Sequence, residues 1–138
     1  MPARDIFHQA VRAALEKEGW TITHDPLPIP YGGIDLYIDL GAERLLAAER
    51  DGERIAVEIK SFLGASLVSD FHTALGQFLN YRLILEELEP ERELYLAVPF
   101  DTYATFFSQA FPQLAVQRHQ IKLIVYNAAQ EEITLWQN

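Results

Sequence analysis

Two residues, Asp51-Gly52, constrain this chain more than any others. They separate two runs, 43–50 and 53–62, in which apolar and polar residues alternate. An Asp-Gly pair between such runs is the strongest short signal for a tight β-hairpin, because the favoured turn needs positive φ at both central positions. A two-residue turn also sets the register by arithmetic. Arg50 falls opposite Glu53, Ala47 opposite Ala56, Leu45 opposite Glu58, and Glu43 opposite Lys60. Side chains alternate along a strand. Ile55, Val57 and Ile59 therefore share one face with Leu46 and Ala48, the face expected to be core. Glu58 and Lys60 share the other with Glu43 and Glu49. Asp39 joins them if the preceding segment continues the strand past Gly41. A Glu-x-Lys on a half-exposed strand is by itself usually a solvated face. Here it sits inside IAVEIKSF, apolar before and after, which marks a central strand. Charged groups there cost desolvation unless something pairs with them.

The rest of the chain places this hairpin in an α/β arrangement. Ile6, Phe7, Ala10, Val11, Ala14 and Leu15 recur at helical spacing and predict a helix over 3–18, stopped at Gly19. Residues 20–23 read as a short strand, PLPIPYGG (26–33) as a loop, and 34–40 as a strand. A long helix is expected over 66–88, capped by Ser66 or Ser69, with Phe71, Leu75, Phe78, Leu79 and Leu85 turned inward. The acidic stretch with Pro90 ends it. Residues 93–98 read as a buried strand, and 101–119 as helical with a break at Pro112. Residues 121–126 and 131–136 form a closing strand pair. The order is αβββαβ, then a helix and two strands: a mixed central sheet flanked by helices. A length of 138 residues with 49% hydrophobic content suits one domain over 1–138.

Composition excludes several chemistries. There is no cysteine, so disulfides, thiolate zinc, iron–sulfur clusters and cysteine nucleophiles are out. No apolar run approaches the roughly 18–20 residues of a membrane span. The opening MPARDIFHQ lacks an apolar signal region, and a cytoplasmic location is expected. The net charge of −9 repels bulk nucleic acid. Five acids (Glu86, Glu87, Glu89, Glu91, Glu93) lie in one short stretch with only Arg92, so the field is uneven. A local DNA site then needs a divalent metal or a partner's cations.

Two carboxylates about a strand apart can share Mg²⁺ or Mn²⁺, hard cations that prefer oxygen. A metal so held polarises a phosphate and lowers the pKa of bound water. A neighbouring lysine holds that water or stabilises developing negative charge. An acid on the preceding strand, then Val57-Glu58-Ile59-Lys60, then a helix, resembles the PD-(D/E)XK nuclease superfamily, the restriction-endonuclease-like fold. Gln77-Phe78-Leu79-Asn80-Tyr81 looks like the Q-h-x-x-Y motif of its RecB-like branch, and His8 resembles that branch's early histidine.

Across all 138 residues the chain resembles the XisH family, the fdxN element excision controlling factors. MPARDIFH, EGWTITHDPL, DLYIDLGAE, IAVEIKSF and LYLAVP carry the likeness. The resemblance implies an accessory factor that works on DNA with a partner, XisI, in excision of a DNA element during heterocyst differentiation. The PD-(D/E)XK resemblance implies site residues Asp39, Glu58, Lys60, Gln77 and Tyr81. Asp39, Glu58 and the Ile59 carbonyl would hold the metal. Asp35 and Glu43 remain alternatives to Asp39 as the first acid, and Ile38 stands where the superfamily's proline would. Asp5, His8 and Arg12 also read as a plain solvated stripe, and His24, His72 and His119 as structural. Two function classes follow: a metal-dependent DNA endonuclease or nickase, and a catalytically quiet binding subunit. Surplus aromatic residues at Tyr103, Phe106, Phe107 and Phe111 suit either a core helix or an interface, and a homo-oligomer stays open.

Overall fold

A computed structural model describes residues 3–35 and 45–138. It begins with helix α1 (Ala3–Lys17) and strand β1 (Thr21–His24), followed by a small ribbon of β2 (Pro30–Tyr31) and β3 (Ile34–Asp35). Then come β4 (Leu45–Arg50), β5 (Glu53–Ile59), the long helix α2 (Leu67–Leu88) and β6 (Glu93–Pro99). The chain continues through α3 (Phe100–Thr105), a single 3₁₀ turn (Phe106–Ser108), α4 (Ala110–Arg118), β7 (Leu123–Asn127) and β8 (Glu132–Gln137).

Six strands form one mixed sheet in the order β1-β4-β5-β6-β7-β8. β5 runs parallel to β6, and β6 to β7, while the outer pairings are antiparallel. The parallel steps need crossovers, which α2 and the α3–α4 segment supply. β5 is thus interior to the sheet, as the apolar flanks of Glu58 and Lys60 predicted. The hairpin register is also as predicted, with Leu45 opposite Glu58 and Ala47 opposite Ala56. Asp51 and Gly52 take φ of 51° and 86°, the left-handed pair that a tight turn demands.

The sheet is covered on both faces. Val11, Leu15 and Trp20 pack on Leu46, Ala48, Ile55, Val57 and Ile59. Phe71, Ala74, Phe78, Tyr81 and Leu85 pack on Leu45, Ala47, Ala56 and Leu96. The sequence pattern assigned core to the Val57 face alone. The Glu58 face is core as well, because α2 and the α3–α4 segment, which make the two parallel crossovers, both pack on that side, while α1 covers the other.

Three local expectations are corrected. The proline-rich segment is not all loop: Tyr31 pairs with Ile34 across Gly32-Gly33, and Leu27 and Ile29 are buried. In α2, Ala74 and Tyr81 are among the buried positions, while Leu79 is only half-buried. The late helical segment breaks at Gln109, whose backbone is extended, and Pro112 sits in the first turn of α4. Proline is tolerated there because its missing N–H has no helical acceptor.

Candidate functional site

β5 delivers Glu58 to the α2 face of the sheet near the strand's C-terminal end, and Lys60 follows directly after the strand's last residue, Ile59. Glu58 is only 1% exposed, between Leu45 of β4 and Leu96 of β6. Lys60 is 8% exposed. Its backbone is held on both sides: its N–H donates to the Ala97 carbonyl at 3.0 Å, and its carbonyl accepts from the Tyr126 hydroxyl at 3.1 Å. The chain then turns sharply, with Phe62 at φ 55°. Gly64 N–H donates to Asp70 at 2.9 Å, and Ser66 caps α2 by accepting from the Ser69 N–H. These ties fix the step from the end of β5 into the helix above it.

α2 brings two more predicted residues to the same layer. Tyr81 is buried in the cluster that lines the Glu58 face. Gln77, one turn earlier, is half-buried; its Oε1 is shielded from water and accepts no hydrogen bond among the described residues. An amide oxygen sealed without a donor costs about 1–3 kcal/mol, so such an atom calls for a reason.

Asp39 and Glu43 lie outside the described residues, as does the side chain of Asp35. Among the described residues no three or more His, Asp or Glu side chains gather as a metal cluster. Oxygen donors and no thiolate suit a hard divalent cation, and a carboxylate as deeply buried as Glu58 fits one.

His8 departs from the solvated-stripe reading. It is buried, and its Nε2 lies 2.7 Å from Asp25 Oδ2, which also accepts from Arg12 Nη1 at 2.7 Å. Burial alone would raise the Asp25 pKa; the hydrogen bonds and charges of His8 and Arg12 outweigh it and hold the carboxyl below its ordinary value. Asp25 was missed in the sequence. The signal available was the His8/Arg12 pair at i, i+4, two donors on one helix face in want of an acceptor.

The acidic stretch has more company than Arg92. Glu89 Oε1 accepts from Arg92 Nε and Nη2 and from Arg54 Nη2 at 3.0–3.1 Å. Arg92 also donates to the Ile55 carbonyl, near the start of β5. This ion group locks the end of the sheet away from Glu58. A cavity of about 590 Å³ lies elsewhere again, bordered by Tyr103, Phe107, Gln117, Lys122 and Gln137. None of the described site residues Glu58, Lys60, Gln77 and Tyr81 lines it.

The described residues thus form a mixed α/β fold whose interior strand carries a buried acid, with a buried lysine just past the strand's end, under a helix that offers a glutamine and a tyrosine. No helix among them is long and apolar enough to cross a membrane. The XisH protein family profile matches residues 1–134, so the chain belongs to the XisH family. An XisH family protein from Nostoc punctiforme PCC 73102 is 54% identical in sequence, with a TM-score of 0.90 over 97% of this chain and 100% of that one. An fdxN element excision controlling factor protein from Anabaena variabilis is 53% identical, with the same TM-score over 98% and 100%. The search of curated proteins found no match.

Proposed function

We propose that this chain controls excision of a DNA element, as the name of its Anabaena variabilis relative says of that protein, and that it does so as a Mg²⁺-dependent endonuclease or nickase with a PD-(D/E)XK site. The carrying observation is the burial of Glu58 on an interior strand together with the burial of Lys60 just past that strand's end. Burying two ionisable groups costs several kcal/mol of desolvation that an apolar pair would avoid. A chain using this fold only as a scaffold gains nothing from them.

In this reading Asp39, Glu58 and the Ile59 carbonyl hold the metal, which when bound polarises a phosphate and lowers the pKa of its water. Lys60 orients the attacking water or stabilises charge building on the phosphate. Gln77, with its free amide oxygen, positions that water or the scissile strand, and Tyr81 walls the site. The net charge of −9 supports a role for XisI, supplying cations that bring DNA close. The same charge favours a second reading, a catalytically quiet subunit that binds DNA or XisI.

The test is nicking of supercoiled plasmid with Mg²⁺ or Mn²⁺, with and without XisI, alongside calorimetric titration of the metal. Cleavage lost in Glu58→Gln together with metal binding supports the nuclease. A wild type inert under every condition, with no metal bound, leaves the quiet subunit in its place.

A further inference from the structure

The cavity bordered by Tyr103 and Gln137 lies apart from Glu58, and its volume of about 590 Å³ falls within the range of small-ligand sites. Phe107, Val116 and Leu123, all buried in the core, give it an apolar floor. Amides from two elements line the rest. Gln113, Gln117 and Gln120 follow one another at i, i+4 and i+7 along α4 and just past its end, a spacing that puts them on one face. Their side chains are exposed and make no hydrogen bond among the described residues. From the end of β8 come Gln137 and Asn138. Each is oriented by a tyrosine: the Tyr103 hydroxyl donates to Gln137 Oε1 at 2.7 Å, and the Tyr95 hydroxyl to Asn138 Oδ1 at 2.9 Å. With its oxygen so engaged, Gln137 has its NH₂ left to offer. Lys122 is the one charged side chain among the described residues that line the cavity, and Glu93 neutralises it at 2.9 Å. An apolar floor edged by neutral amides suits a flat, uncharged ring with donors and acceptors on its rim.

We infer that this cavity binds an adenine ring. Glutamine and asparagine amides match the adjacent donor and acceptor on the N6/N7 edge of adenine, whereas guanine is met by arginine or lysine and cytosine by a carboxylate. The described lining offers amides, no carboxylate, and a lysine already paired. Tyr103 is half-buried, with its ring 6.4 Å from that of Phe107 and 25° from parallel to it, and gives a flat surface on which a base stacks. The Gln137 NH₂ donates to a ring nitrogen, and the α4 glutamines pair with the amino edge. The site reads the base and not a phosphate. Arg82, in a neighbouring depression that shares Gln120 and Lys122, is held by the His119 and Gln120 carbonyls at 2.7 and 3.2 Å. A free nucleoside and a single strand of DNA both carry such a ring.

The proposal does not depend on DNA cleavage, since Glu58, Lys60, Gln77 and Tyr81 lie outside the cavity. Calorimetric titration of the wild type with adenosine, and separately with single-stranded oligodeoxyadenylate, should show saturable binding of at least one. The tighter of the two identifies the source of the ring. Guanosine, cytidine and thymidine should bind about tenfold more weakly than adenosine, or worse, and oligothymidylate more weakly than oligodeoxyadenylate. Gln137→Glu exchanges the NH₂ donor for an acceptor at nearly the same size, and Gln117→Leu alters an exposed side chain. Each should weaken binding about tenfold or more with melting unchanged. Gln9→Leu, at an exposed glutamine of α1, should leave affinity as it was. No saturable binding of either probe up to about 1 mM overturns the proposal. So does a guanine or thymine probe that binds as tightly as its adenine counterpart, or an affinity untouched by both Gln137→Glu and Gln117→Leu.

Discussion

The two faces of the central sheet are equally dry and differently built. Toward α1, the buried β5 side chains are apolar: Ile55, Val57 and Ile59 meet Val11, Leu15 and Trp20. Toward α2, the same strand presents Ala56 and then Glu58, with Lys60 just beyond its end, beneath Tyr81 and Gln77, whose amide oxygen finds no donor among the described residues. The buried odd-numbered positions of this strand thus serve stability, while its even face carries the buried acid Glu58. Burial alone does not separate the faces; what separates them is whether the buried groups are ones a core needs.

The comparison can be broken by exchanging those roles. The largest effect should come from the apolar face. Leu46→Ala, at a fully buried position, should cost about 2–5 kcal/mol in urea unfolding. Next is Lys60→Ala. If the chain cuts DNA, nicking should fall by roughly 10²–10³ while metal binding and melting stay near wild type, since the lysine acts on the transition state. A loss of several kcal/mol in stability with unchanged cleavage would make Lys60 a core residue and erase the distinction.

His8→Ala sharpens the same contrast at the edge of the α1 layer. It should cost about 1–3 kcal/mol by stripping Asp25 of a buried partner. The pH dependence has a definite sign. Asp25 is held below its ordinary pKa, so its contribution is full above the unfolded-state value and is lost as pH falls through the folded-state value. In His8→Ala this acid-side loss should shrink, read from urea midpoints between neutral and acidic pH. The smallest effect belongs to the turn. Gly52→Ala forces a side chain onto φ 86° with free space around it, so strain alone should cost about 1 kcal/mol by thermal melting. A larger cost would mean that the hairpin register, and with it the face of Glu58, hangs on this turn.

Short-range physics made much of this fold legible. A tight turn and period-two alternation set the pairing of Leu45 with Glu58 before any tertiary contact is considered. Helical spacing located α1 and α2, and Ser66 marked the start of α2. The misreadings share a cause. The break at Gln109 and the burial of Leu27, Ile29 and Tyr81 depend on what lies across the molecule, which local propensity does not see. The same holds for Asp25, a loop acid whose meaning comes from two donors on a distant helix face. For the first acid of the site, Asp39 was an assignment from resemblance, and it lies outside the described residues.

By itself the sequence determined which side chains share a face of β5, because alternation and a two-residue turn leave no freedom in register. It also excluded thiol chemistry, because no thiol exists. Only the tertiary structure decided that the Glu58 face is buried rather than solvated. That depends on α2 crossing over the parallel β5–β6 step and laying Phe71, Phe78 and Tyr81 across it, a contact between segments far apart in the chain.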